Sequence, residues 1–261
     1  MKRGHVTDTL WRGFGLAVVL FMLLPLFLVV LFSFNESALT SLPITGLTLS
    51  WYERLFEHRS FWPAFENSLI IGFTVAICSV AIGTLAALAL STVKPKRAGL
   101  IMNALSLPVM LPALIIGIAL LCYFVRFLDV KLSLLTVILG HLVIAQPFVI
   151  LIVYARMATF NHSVVDSARD LGATRWTAFR TVTLPIIRPT IIGAALIALS
   201  LSLDDFVITF FTIGGGNTLP TLVWGLVRTS LDPTINAIAT LLIALSIGST
   251  VIALQLSRYR G

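Results

Sequence analysis

Asn161–Pro185, NHSVVDSARDLGATRWTAFRTVTLP, sets two aspartates and three arginines between two long apolar runs. That charge density excludes the stretch from a bilayer core, so it is a water-facing connection. Asn161 suits a helix N-cap and predicts a short helix over 162–171, closed by Gly172 in the left-handed conformation. Thr174 then caps a second short helix running to Thr181, and Leu184-Pro185 stops it before the next apolar run. The expectation is a compact knob of two short helices bent sharply at a glycine.

Outward from the knob, apolar segments run over about 13–35, 67–93, 98–125, 132–155, 189–211 and 233–257, and only the fifth contains charges, Asp204 and Asp205. Each is long enough for the roughly 20 residues that cross a hydrocarbon core. None alternates as barrel strands do, and a helix satisfies its own backbone in lipid. The 261 residues are 58% hydrophobic and 11% charged, against about 45–50% and about 25% in soluble domains. An all-α integral membrane protein of six spans follows, in one domain, with residues 1–12 ahead of the first span and 156–188 as the knob-bearing loop. The first run is too long for a signal-peptide core and lacks a small-residue cleavage pattern, which predicts a retained span.

The formal charge of +7 does not point to nucleic acid, because no soluble face is available to carry a basic patch. Topology explains it. Six spans place 13 of the 18 Lys and Arg on one side, including Lys2, Arg3, Arg12, Lys94, Lys96, Arg97, Arg156 and Arg260. Cytoplasmic loops retain such an excess, so both termini and the knob are expected in the cytoplasm of a bacterial inner-membrane protein. Between spans two and three, the turn Val93–Arg97 needs no role beyond anchoring that topology. The external loop 36–66 holds Trp51, Tyr52, Phe61 and Trp62, read as interfacial anchors on short helices. Cys78 and Cys122 lie in apolar runs without metal or redox spacing, and no metal site is expected.

Carboxylates inside a span cost a few kcal/mol each by insertion scales, which makes Asp204 and Asp205 candidates for a solute pathway. Roughly 22 Å of helix separates Pro189 from Asp204, so the pair lies in the outer half of the span. Neighbours on a helix point about 100° apart, and at most one of the two faces a pathway unless the helix is broken there. The alternative is structural, with both acids bonding Arg126, Arg228 or free backbone amides near Gly214-Gly215-Gly216. His141 is the one histidine within a span and is read as a packed or hydrogen-bonded residue. The segment 219–228 is either a short interfacial helix or a re-entrant piece.

Within the knob, Asp166-Ser167-Ala168-Arg169-Asp170-Leu171-Gly172-Ala173 precedes Phe179 and then Val182-Thr183-Leu184-Pro185. This string resembles the EAA loop of ABC importer permeases: Glu-Ala-Ala, three residues, Gly, nine residues, an aliphatic residue, any residue, Leu and Pro. Ala168, Gly172, Val182, Leu184 and Pro185 fall at the family spacing, while Asp166 and Ser167 stand where the family has Glu and Ala. From about residue 160 to 245 the text is also similar to the second permease subunit of spermidine/putrescine importers, through Leu201-Ser202-Leu203-Asp204-Asp205-Phe206, Thr218-Leu219-Pro220 and Asp232-Pro233-Thr234-Ile235-Asn236-Ala237.

The resemblance implies the type I ABC importer permease fold and a non-catalytic subunit. It implies that Asp166, Ser167, Ala168, Gly172, Val182, Leu184 and Pro185 couple the chain to a cleft in an ATPase subunit. The implied partners are a second homologous permease, two ATP-binding subunits, an extracytoplasmic solute-binding protein and the lipid bilayer. No cofactor is expected on this chain; ATP and Mg belong to the ATPase, and a Gly-x-x-x-x-Gly-Lys-Ser/Thr loop is absent from the sequence. The implied solute is a small cation, polyamine first, with an amino-acid-like compound, a phosphonate or a metal ion as alternatives within the same class. A secondary transporter would not need the knob, and adjacent aspartates on one helix do not make a protease dyad.

Overall fold

The computed structural model describes residues 3–38, 43–229 and 232–258; Lys2 and Arg260, counted above on the cytoplasmic side, lie outside them. Among the described residues the secondary structure is helical, apart from an isolated bridge between Asn35 and Leu47. Two compact units form, Met1–Trp62 with Val223–Leu245, and Pro63–Leu222 with Ser246–Gly261.

In the first unit, α1 (Arg3–Ser33) is apolar all round from Gly13 onward and exposed from Trp11 to Phe27, as a lipid-facing helix should be. The short α2 (Ser50–Glu57) packs against the end of α1. Trp51 and Leu55, one turn apart, are buried; the Trp51 indole donates to the Asn35 carbonyl at 2.7 Å, and the Tyr52 hydroxyl meets Ser33 Oγ at 2.8 Å. Phe61 is buried as well. The expectation that these aromatics anchor at the membrane interface is therefore corrected for Trp51 and Phe61, whose rings are consumed by packing within the unit. Trp62 remains half exposed.

The second unit is organised by α6 (Leu134–Ala158). Val137, His141, Ala145, Val149, Val153 and Met157 are buried at every fourth position and form a single ridge. On α9 (Leu184–Asp204), Ala194, Ala198 and Ser202 are buried at the same spacing, and α9 packs extensively on α6. Lipid supplies no hydrophobic drive between helices, so close approach of small residues is what such packing needs. Glycines serve the same end: a Cβ at Gly83 on α3 (Phe61–Ser91) would lie 2.6 Å from a Val149 methyl.

Two sequence expectations change here. The run 98–125 is not one helix but two, α4 (Pro95–Met110) and α5 (Ala113–Cys122, extended by a π turn to Phe127), bent by 93°. Pro112 lacks an N–H and drives Leu111 out of the helical region, to φ −88° and ψ 145°. The second change concerns Leu184-Pro185, which does not stop the knob's second helix. That helix, α8 (Arg175–Ala178), passes through a π turn over Phe179–Thr183, closed by Leu184 N–H on the Phe179 carbonyl, straight into α9. The wider turn reorganises the bonding just where Pro185 would clash with the preceding turn.

The fifth span is also interrupted. α9 ends at Asp204, Asp205 is extended at φ −72° and ψ 115°, and α10 (Val207–Thr212) restarts the helix. α10 packs on α5 and α6, and Thr136 Oγ1 on α6 donates to the Thr212 carbonyl at 2.7 Å. Beyond it, α11 (Leu219–Thr229) is a separate short helix whose start is held to α3 by Leu219 N–H on Ser68 Oγ at 2.9 Å. α12 (Thr234–Arg258) follows. The seat of α10 is tight, because a Cβ at Gly140 would lie 2.7 Å from the Ile208 Cγ2 methyl and 3.3 Å from Leu120. Gly140→Ala gains up to about 1 kcal/mol in helix propensity but incurs roughly 1–3 kcal/mol of overpacking against a β-branched, fully buried neighbour. The expected result is a net loss of thermal stability of the detergent-solubilised protein, measured by size-exclusion recovery after heating; a gain would show that α10 is free to shift.

Candidate functional site

The knob forms from its caps upward. Asn161 Oδ1 accepts from Ser163 N–H at 3.1 Å and from Ser163 Oγ at 2.7 Å, opening α7 (Ser163–Asp170). Its far end is a Schellman motif: Ala173 N–H bonds the Ala168 carbonyl at 3.1 Å and Gly172 N–H the Arg169 carbonyl at 2.9 Å, with Gly172 at φ +92°. Ala168 and Gly172 are thus two ends of one turn, which is a backbone reason for their fixed spacing. Thr174 Oγ1 then accepts from Thr177 N–H at 3.1 Å and opens α8.

Asp166 and Ser167 are exposed, the latter donating to the Ser163 carbonyl at 2.9 Å, and Ala168 is half-buried. Asp166, Arg169, Asp170, Gly172 and Ala173 line an open polar hollow of about 420 Å³. Val182 and Leu184 are half-buried in the returning helix and Pro185 is exposed beside them. Sequence reasoning missed Leu171 and Trp176, 90% and 68% exposed at the tip of the bend. Large apolar side chains in a polar connection were the available signal.

The second site is the break in the fifth span. Asp205 is consumed by it: Oδ1 accepts from Ile208 N–H at 2.9 Å and Thr209 N–H at 3.1 Å, capping α10. A carboxylate at a helix N-terminus is favoured both by the orphan donors and by the helix dipole. The partners of Asp205 are thus the backbone amides of 208 and 209, not Arg126, Arg228 or the glycine segment that the structural alternative named. Asp204, one residue earlier, is exposed, and its carboxylate makes no hydrogen bond or ion pair with any described residue. The break turns the two carboxylates to different surroundings.

His141 faces the break from α6 and is 4% exposed. Its Nδ1 lies 2.8 Å from Ser202 Oγ on α9, and its Nε2 lies 2.9 Å from Thr209 Oγ1 on α10 and 3.4 Å from Asp205 Oδ1. Beyond the break, the rings of Phe206 and Phe210 meet at a tilt of 40° with centroids 5.5 Å apart, and Phe210 stays half exposed.

Residues 79–259 match the family described as binding-protein-dependent transport system inner membrane component. The spermidine/putrescine transport system permease protein PotC of Escherichia coli K12 is 30% identical over 245 residues, 94% of this chain and 92% of that protein. The putrescine transport system permease protein PotI of the same strain is 34% identical over 233 residues, 85% and 82% of the two chains. Among solved structures, a bacterial alginate ABC transporter bound to its alginate pentasaccharide-loaded periplasmic protein superposes with a TM-score of 0.74 at 17% identity, covering 97% of this chain and 95% of that one. The MetNI methionine ABC transporter in an inward-facing conformation gives 0.63 at 18%, covering 82% and 100%. At those identities the two structures speak to the fold, which is that of the ABC importer permeases.

Proposed function

We propose, from the premise that this chain belongs to the family of binding-protein-dependent transport system inner membrane components, that it is the non-catalytic permease subunit through which an ATP-driven importer passes polyamines. One observation carries the cationic solute: Asp204 is an exposed carboxylate without a bonding partner among the described residues, at a helix break within a span. A polyamine carries ammonium groups on an apolar stem. It needs acids to replace part of its hydration, and aromatic faces such as that of Phe210 are natural secondary partners. The names of the curated relatives PotC and PotI support the same solute class.

In this reading a second, homologous permease completes the pathway and two ATPase subunits bind ATP and Mg beneath it. A solute-binding protein delivers cargo from outside. The basic excess on one side supports cytoplasmic termini and a cytoplasmic knob. The knob works mechanically: Asp166 and Ser167 present polar groups, Leu171 and Trp176 present apolar ones, and Gly172 fixes the angle between the two short helices. Val182, Leu184 and Pro185 stand where α8 becomes α9, so movement of the knob is passed along one helix to Asp204. This is the shortest covalent route from an ATPase surface to the acid.

The test is uptake of labelled putrescine or spermidine into vesicles holding the full complex and its binding protein. Saturable uptake that requires ATP is expected. A complex whose ATPase responds to its loaded binding protein, yet takes up no polyamine, discards the solute and keeps the importer. Uptake persisting without the ATPase subunits would make the chain a secondary transporter.

A further inference from the structure

We propose that His141 is the positioning residue of the solute pathway, bonding both sides of the break from a third helix and so holding Asp204 where it meets the solute. The inference rests on the pathway reading of Asp204. A break in a span leaves helix ends whose backbone groups have no water to turn to, and such a break persists only when its surroundings fix it. Asp205 and Thr209 satisfy part of this locally, but both belong to the interrupted segment and would move with it. His141 does not. It sits on the fully buried ridge of α6, 61 residues from Ser202 and 68 from Thr209, and reaches the last turn of α9 with one ring nitrogen and the first turn of α10 with the other.

The tautomer is assigned from the partners. In the tautomer that uses every neighbour, Thr209 Oγ1 donates to the Asp205 carbonyl at 3.1 Å and accepts from the ring. Nε2 therefore carries a proton, shared between Thr209 Oγ1 at 2.9 Å and, more distantly, Asp205 Oδ1 at 3.4 Å. In that tautomer Nδ1 accepts from the Ser202 hydroxyl at 2.8 Å. Every polar atom of the ring is used, and each use lies on a different side of the break. A ring held only for its volume would not need this complement of partners.

Side chains that keep one half of the ring's bonding separate positioning from packing. The amide of Gln reaches the Nε2 position and retains a donor toward α10; the amide of Asn reaches only the Nδ1 position and keeps Ser202; Leu keeps neither. The experiment uses the complete complex with its binding protein and compares His141→Gln, His141→Asn and His141→Leu by two readouts. The first is labelled polyamine uptake per ATP hydrolysed. The second needs no solute: the rate at which a thiol reagent modifies a single cysteine placed at Phe210, in a chain with Cys78 and Cys122 replaced by Ala.

Uptake per ATP is expected to fall at least about tenfold in His141→Leu, the scale of two lost hydrogen bonds, and by a smaller factor of about three to five in His141→Gln and His141→Asn, which each keep one. The modification rate at position 210 should shift in the same order while recovery of the complex stays unchanged. Equal losses in all three variants, or losses that follow recovery of the complex, assign His141 to packing and overturn the proposal, as does wild-type behaviour throughout. If the wild-type complex takes up no polyamine, the solute reading fails, and the thiol rates still decide whether His141 holds the break.

Discussion

Uptake falls at least about tenfold in a complex carrying Asp204→Asn, while complex recovery and binding-protein-stimulated ATP hydrolysis stay near wild type. The magnitude follows from one lost charge-assisted contact with an ammonium group, roughly 1.5–3 kcal/mol, or about 10- to 150-fold. The substitution is isosteric, and no described residue bonds the carboxylate it replaces, so no contact among the described residues depends on the charge. Insertion scales put the charge itself at about 2.5–3.5 kcal/mol against the membrane, a cost that the fold does not recover at this residue. Asp205→Ala supplies the contrast. It strips the acceptor from Ile208 and Thr209 N–H, a cap worth roughly 0.5–2 kcal/mol in water and more in lipid, and should lower recovery of the complex. Both are read from labelled uptake alongside size-exclusion yield. Unchanged uptake in Asp204→Asn, or a loss matched by loss of assembled complex, removes Asp204 from the pathway.

What distinguishes the two aspartates was not legible in the sequence, where two adjacent acids in an apolar run look alike. The helix break decides between them, and its cap is written locally: an acid just ahead of a short apolar helix is an N-cap pattern, overshadowed here because the surrounding run reads as one span. The knob was legible because its caps and glycine act within a few residues of one another. The same local logic, applied to Pro108 and Pro112, would have divided the third span, but hydropathy averages over prolines and sees only length. Pro185 misled in the opposite sense, since a π turn depends on backbone adjustment that no residue type announces. His141 joins partners more than 60 residues away, which no spacing rule reaches.

Gly172→Val should uncouple the transporter more severely than any single change elsewhere in the knob. A Cβ at Gly172 meets nothing within 4 Å, so the defect is not a clash with neighbours. It lies in the backbone: φ is +92°, outside the conformations open to a β-branched residue, and the strain costs about 1–3 kcal/mol. The chain relieves it by giving up the Schellman bonds from Gly172 and Ala173, and with them the angle that presents Asp166 and Ser167 on one side of the bend and Trp176 on the other. Occupancy of the competent knob then falls by roughly 5- to 150-fold, and uptake falls with it. The spans are untouched, so assembly and unstimulated ATP hydrolysis persist. Gly172→Asn, which tolerates positive φ better, should retain more uptake than Gly172→Ala, and Ala more than Val. That ranking follows backbone strain rather than side-chain size or polarity, and it is measured as solute taken up per ATP hydrolysed. Wild-type coupling in Gly172→Val would mean that the bend is incidental and that the ATPase engages another part of the loop.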